Sequence, residues 1–224
     1  MNLAEAPAAD IDWRGDVPVS RRFADAYFGA GDGLAEARHV FLAGSALPER
    51  FRPGFHIAEL GFGTGLNALA ARAAWIAAGQ AGPLRYTAFE AWPLDPGAMA
   101  RALAPWPELD PAPLLAAWAA GQRSIALDGL RLELVAGDAR ARVPAWEGMA
   151  DAWFLDGFAP ARNPELWEPE LFAAVAARTS VGGTVATYSA AGGVRRTLAA
   201  AGFAVERVQG FGRKRHMTRG VSVR

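Results

Sequence analysis

Between His56 and Asn67 the chain reads H-I-A-E-L-G-F-G-T-G-L-N. An apolar run ends in an acid, three glycines alternate with other residues, and an Ala/Leu-rich segment follows. That order spells strand, tight turn and helix start. Glycine accepts a positive φ and lets a ligand approach bare backbone. The first turn of a helix offers N–H groups that have no partner of their own. Residues 56–67 therefore read as the first strand and nucleotide-cradling turn of a doubly wound α/β fold.

The 224 residues suit one domain, and a hydrophobic content of 52% is ample for its core. No apolar run is long enough to span a bilayer. Residues Met1 to Asp12 carry acids and no basic leader, so they are expected to be a frayed tail and not a signal peptide. Cysteine is absent, which excludes disulfides, a thiolate nucleophile and Cys-based metal sites. The plain expectation is a cytoplasmic protein. Net charge is zero, but residues 195–224 hold eight basic residues against Glu206 alone. Phosphate binding depends on local charge, so this basic end keeps a nucleic-acid partner open.

The pattern divides the chain into an N-terminal extension, residues 1–55, that packs on the core, and a ligand-binding domain, residues 56–224. In the extension, Ser20 is expected to cap a helix through Tyr27, and Leu34 to Leu42 forms a second helix or strand. Aromatics there suggest packing over a sheet edge and part of a lid. In the core, helices are expected over 66–78, 96–103, 112–120, 169–177 and 194–201. Strands are expected over 56–60, 84–89, 124–127, 130–135, 152–155, 184–188, 203–208 and 216–223. Asp128-Gly129 marks a hairpin. Alternation of strand and helix gives a mostly parallel sheet.

Successive strand ends finish at Glu59/Gly61, Glu90, Asp138 and Asp156. In an open α/β sheet, ligands lie beyond the carboxyl ends of the strands. Glu90 is placed to accept ribose hydroxyls, and Asp138 with the Ala139 backbone to meet an adenine edge. Any one acid at a strand end is ordinarily a solvated loop residue or a helix cap; four at successive ends are harder to dismiss. The loop Asp156-Gly157-Phe158-Ala159-Pro160 is a loose analogue of the short acidic, aromatic loop of amino-group methyltransferases. Asp156 there binds and orients an amine, and Phe158 walls the pocket. His39, His56 and His216 are the only histidines, and their spacing fits no metal site. Trp92 and Trp167 are weaker candidates for base stacking.

The glycine spacing resembles the first motif of class I S-adenosylmethionine-dependent methyltransferases. Further segments extend the likeness: Pro18-Val19-Ser20 with Phe23 to Phe28, His39-Val40-Phe41-Leu42, Asp151 to Pro160 with Asn163-Pro164-Glu165-Leu166-Trp167, and Gly210 to Arg215. Together they resemble the methyltransferase domain of the bacterial enzymes that make 5-methylaminomethyl-2-thiouridine at the tRNA wobble position. The resemblance implies a Rossmann-like class I fold with a seven-stranded sheet and helices on both faces. It implies S-adenosyl-L-methionine as donor, held by Glu59, Gly61, Gly63, Gly65, Asn67, Glu90, Asp138 and Ala139. Asp156 becomes the catalytic-site acid. Phe158, Arg213, Lys214 and Arg215 become the substrate side, with the three cations on anticodon-stem phosphates of tRNA. It further implies a flavin-dependent oxidase, as a domain or a separate protein, that prepares the amine. The competing readings are an aminopropyltransferase on the same fold, a nicotinamide oxidoreductase, which the glycine spacing disfavours, and a non-catalytic RNA-binding module.

Overall fold

The computed structural model describes residues 7–29 and 31–224. The chain opens with a small antiparallel sheet of β1 (Ile11–Arg14), β2 (Val17–Ser20) and β3 (Asp25–Ala26). Helix α1 (Gly33–Ala37) follows, started by Asp32, whose carboxylate accepts from Ala35 N, and it runs on into a π-helical turn, Arg38–Leu42. The core then alternates: β4 (His56–Leu60), α2 (Leu66–Ala77), β5 (Leu84–Glu90), α3 (Pro96–Leu103), α4 (Ala112–Ala119), β6 (Ser124–Leu127), β7 (Leu130–Ala136), α5 (Ala139–Ala145), β8 (Ala150–Leu155), α6 (Pro169–Ala177), β9 (Thr179–Thr187), α7 (Gly192–Ala200), β10 (Phe203–Gln209) and β11 (His216–Ser222).

The central sheet runs β10-β11-β9-β8-β4-β5-β7-β6. Five strands, β9-β8-β4-β5-β7, pair in parallel. Antiparallel strands extend both edges. The sheet has the eight strands that the residue pattern lists, one more than the seven that the family resemblance implies. Gly129, at φ +72°, folds β6 back on β7, so the first arm of the hairpin stays in the sheet as an edge strand.

Side chains alternate between the two faces, as the period of a strand requires. On β8, Ala152 and Phe154 join the core cluster that includes Leu66, Leu69, Met99 and Leu114. Trp153 and Leu155 join the other, with Phe172, Val175 and Leu198. Trp153 lies between Phe89, stacked at 5.9 Å, and Trp146, edge-on at 5.8 Å. Burying side chains of this size contributes about 1.5–3 kcal/mol each. The segment before β4 shares the first cluster through Leu34, Val40, Phe41 and Phe51, with Phe41 against Phe154 at 5.2 Å.

Three expectations are corrected. The helix from Ser20 to Tyr27 is a turn between β2 and β3. Ser20 Oγ does accept from Phe23 N, at 3.2 Å, but Ala24 takes φ +49° and reverses the chain. The frayed tail ends earlier than Asp12, because β1 starts at Ile11 and Ala9 N donates to Pro93 O; residues 1–6 of that expectation lie outside the described residues. Helix α5 was not expected. Asp138 caps it, and Pro144 near its end hides it from a sequence reading.

His56 lies within β4, and its Nε2 lies 2.9 Å from Thr87 Oγ1. Burial, with Arg85 nearby, lowers its pKa from 6.5 to about 4. The fold holds it neutral, while the unfolded chain binds the extra proton below pH 6.5. Its contribution is therefore full above 6.5 and is lost on acidification towards 4, about 3 kcal/mol in all. Denaturant titrations from pH 7 to 4 should show that slope, and His56→Gln should flatten it; an equally steep loss in the variant would place the acid sensitivity elsewhere.

Candidate active site

Chain connectivity reverses between β4 and β8: β5 and β7 continue to one side, and β9 to the other. The carboxyl ends of the two central strands flank a topological switch point, where such sheets bind ligands. Gly61 and Asp156 stand there. Gly61 takes φ +77°, and a Cβ on it would lie 3.4 Å from Asp156 O. The glycine thus lets the β4 turn rest against the β8 turn. A cavity of about 990 Å³ opens over these ends. The sheet order sets the sequence of groups along it: Tyr188 after β9, Asp156 after β8, Gly61 after β4, Glu90 ending β5, and Asp138 after β7. At roughly 4.8 Å per strand, Asp138 and Asp156 stand about 14 Å apart across the sheet.

Glu90 Oε2 accepts from Gly63 N at 2.9 Å, and Oε1 from Trp92 N at 2.7 Å. Burial raises its pKa and these backbone donors oppose the rise. The acid therefore shapes the glycine turn while lining the cavity. Asp138 caps α5 through Arg140 N and chelates the Arg140 guanidinium at 2.7 Å. Hydrogen bonding by Arg140 holds its pKa below the usual range. Asp138 and Ala139 both face the cavity.

Asp156 accepts from Gly157 N through Oδ1 at 2.8 Å and from Asn67 Nδ2 through Oδ2 at 2.8 Å. Burial lifts its pKa to about 6, against the pull of Gly157 N–H, Asn67 and Lys214. Beside it, Phe158 stacks on Phe23 at 4.8 Å and meets Tyr27 edge-on at 5.1 Å. Ala159 N donates to Asp25 at 2.9 Å, tying the loop to the small sheet. The Tyr188 hydroxyl donates to Gly157 O at 2.7 Å. Lys214 Nζ sits 4.0 Å over the Tyr188 ring and pairs with Glu36 Oε1 at 2.8 Å.

Gly61, Gly63, Asn67, Glu90, Asp138, Ala139, Asp156, Phe158 and Lys214 thus all belong to the cavity wall. Others do not. Glu59 has no exposed surface and is not on that wall. Gly65 is not on it either, and a Cβ there would meet Met99, Phe62 and Leu114. Arg213 and Arg215 are exposed on the loop outside the cavity. Trp167 is buried, with its indole N–H donating to Phe158 O, so it is not a stacking platform. Trp92 does line the cavity, with the Arg22 guanidinium 4.2 Å over its ring. Sequence reasoning missed Tyr188 and Glu36. The end of β9 at Tyr188 was a fifth strand end under the same rule; Glu36 carried no signal.

The residues present fit a nucleoside-type methyl donor. The cavity has a glycine turn whose backbone is bare, acids at the ends of β5 and β7, and a carboxylate with aromatic walls at the switch point. Among the described residues no cluster of His, Cys, Asp or Glu suits a metal ion.

Known proteins resemble this chain in sequence and in fold. A family model described as S-adenosyl-L-methionine-dependent methyltransferase matches residues 112–223, half of the chain. Among curated proteins, the chain is 48% identical over 214 residues to a tRNA 5-methylaminomethyl-2-thiouridine biosynthesis bifunctional protein MnmC from Caulobacter vibrioides, covering 91% of this chain and 36% of that protein. A protein of the same name from a Caulobacter strain is 44% identical over 238 residues, covering 98% and 39%. The chain therefore spans little more than a third of the length of these relatives. Among solved structures, MnmC2 from Aquifex aeolicus matches with a TM-score of 0.77 and 26% identity, covering 100% of this chain and 73% of that one. The S-adenosylmethionine-bound amino pentose methyltransferase CalS10 from Micromonospora matches at 0.51 and 13% identity, covering 86% and 93%, a likeness of fold alone.

Proposed function

Because the chain belongs to the S-adenosyl-L-methionine-dependent methyltransferase family, we propose that it methylates the aminomethyl nitrogen of 5-aminomethyl-2-thiouridine at the tRNA wobble position. The observation that carries this reading is Asp156: a carboxylate that lines the cavity at the switch point, held there by Asn67, with Phe158 on the same loop. The relatives' printed names supply the nucleoside. A flavin-dependent oxidase, as a domain or a separate protein, provides the amine in this proposal, and the reaction takes place in the cytoplasm. No helix among the described residues is long and apolar enough to cross a membrane.

When bound, S-adenosyl-L-methionine supplies an electrophilic methyl carbon on a sulfonium. The chain's own residues do the rest. The backbone of Gly61 and Gly63, with Glu90, Asp138 and Ala139, would hold the donor. Asp156 accepts hydrogen bonds from the amine, aims its lone pair and stabilises the positive charge that grows on nitrogen. With a pKa near 6 it is a weak base towards an alkylammonium, so it serves as an orienting anion. Phe158, Phe23 and Tyr27 exclude water, which strengthens that electrostatic contact. The deciding experiment offers labelled donor to tRNA bearing the free aminomethyl group, to unmodified tRNA and to carboxymethylaminomethylated tRNA. Label should enter the first alone; none there refutes the proposal.

Arg213 and Arg215 form the phosphate contact of this reading. Replacing both by Ala should weaken tRNA binding and lower the dependence of log K on log salt by about 1.5, since each phosphate contact contributes about 0.7–0.9. Lys214→Ala should change that slope less, because Glu36 already neutralises Lys214. Filter binding from 50 to 200 mM salt measures both, and an unchanged slope in the double variant removes the loop from the interface.

A further inference from the structure

Behind the cavity wall lies a second carboxylate. Glu59 is wholly buried on β4, and its Oε1 accepts from Asn67 Nδ2 at 2.7 Å. The same nitrogen donates to Asp156 Oδ2 at 2.8 Å. An amide nitrogen carries two hydrogens, and both are used here. Flipping the amide would set its oxygen against both acids and remove the one donor that they share. Glu59 and Asp156 together therefore fix which way Asn67 points. Glu59 Oε2 and the Tyr86 hydroxyl are also buried, and the hydroxyl is a hydrogen-bonding neighbour of the carboxyl that favours its charged form.

We propose that Asn67 is a positioning residue for methyl transfer, oriented from behind by Glu59, and that it fixes the Asp156 carboxylate in the attitude that receives the amine. Both residues then serve the amine side of the reaction. The reason is electrostatic. Burial alone drives carboxyl groups towards their neutral forms. Glu59 follows that drift: burial, then the charge of Asp156, raises its pKa well above normal. Asp156 escapes part of it because Asn67 and Gly157 N–H bond its charged form. A neutral Glu59 still accepts from Asn67 through its carbonyl oxygen, so it can hold the amide without adding a second negative charge.

The inference rests on the reading of Asp156 as the amine-binding acid, so its test does not use turnover alone. Protein labelled with ¹³C at aspartate Cγ is titrated by NMR without donor or tRNA, and Asp156 is assigned by its loss in Asp156→Asn. The wild-type midpoint should fall at about 6. In Asn67→Ala it should rise by one unit or more. The ratio of variant to wild-type rate should rise between pH 7 and pH 9, which a merely structural defect would not produce. Glu59→Gln keeps an acceptor for Asn67, so its Asp156 midpoint should move by less than 0.3 and its donor affinity by less than threefold. Asn67→Ser, which retains a donor, should give an intermediate midpoint and serves if the alanine variant fails to fold. An unmoved midpoint in both Asn67 variants overturns the proposal, as does a tenfold loss of donor affinity in Glu59→Gln. If tRNA is never methylated, the titration still decides the relay separately.

Discussion

Asp156→Ala should lower methyl transfer by about 10²–10⁴-fold, the range for removing a positioned group that meets the reacting atoms. Donor affinity should change by no more than severalfold, because the glycine turn, Glu90 and Asp138 are untouched. The reasoning is geometric: Asp156 is held by Gly157 N and by Asn67, each at 2.8 Å, and Phe158 lines the same cavity. The pH profile gives the companion test. Asp156 ionises with a midpoint at about 6, so the wild-type rate should climb through that value, before the further rise as the substrate alkylammonium loses its proton, and the variant should lack the lower step. The same raised pKa has a stability consequence. A folded carboxyl with a pKa above its unfolded value of 3.8 stabilises the fold below 3.8 and loses that contribution as pH rises through 6. This opposes the His56 contribution over much of the same window. Asp156→Ala should therefore unmask a steeper acid sensitivity than the wild type shows. Wild-type turnover in the variant removes Asp156 from the mechanism.

Gly65→Ala should cost about 3 kcal/mol and at least tenfold in donor affinity. Gly65 takes φ +79° immediately before α2, and its N–H closes the turn onto Phe62 O. A left-handed conformation costs a residue with a Cβ about 1–2 kcal/mol. The new carbon would also lie 2.9 Å from both Met99 Cε and Phe62 Cζ, and 3.2 Å from Leu114. Crowding of that kind costs about 1–3 kcal/mol. For a chain of this size the melting temperature should fall by roughly 6–12 °C. Affinity suffers because any relief moves the turn whose backbone faces the donor. Gly54→Ala is the control: φ is +79° there too, but nothing lies within 4 Å. It should show the backbone cost alone, with unchanged donor binding. Scanning calorimetry and donor titration read both variants; equal behaviour of the two would mean that packing around Gly65 is irrelevant.

Much of this site was legible from residue order because strand ends and glycine turns are local signals. Gly61, Glu90, Asp138 and Asp156 could be placed along one sheet edge before any coordinates, since strand-helix alternation dictates where the ends lie. Depth was not legible. Glu59 and Asn67 sit eight residues apart in one motif, yet one is fully buried and the other lines the cavity. The division depends on which face of β4 meets α2. The N-terminal sheet was misread because Phe23, Ala26 and Tyr27 have helical spacing. Phe23 and Tyr27 instead meet Phe158, far away in sequence, and Ala26 pairs with Val19. Proline misled at Pro144, which α5 tolerates in its last turn.

The ion pair of Lys214 with Glu36 closes a loop of 178 residues. Contacts of such sequence separation form late, since the chain must surrender the freedom of everything between them. On the ribosome the glycine turn can be made while the reactive mouth is still unfinished, and that mouth is completed only after the final hairpin has emerged. A nascent chain would thus acquire the capacity to hold its donor before the capacity to use it.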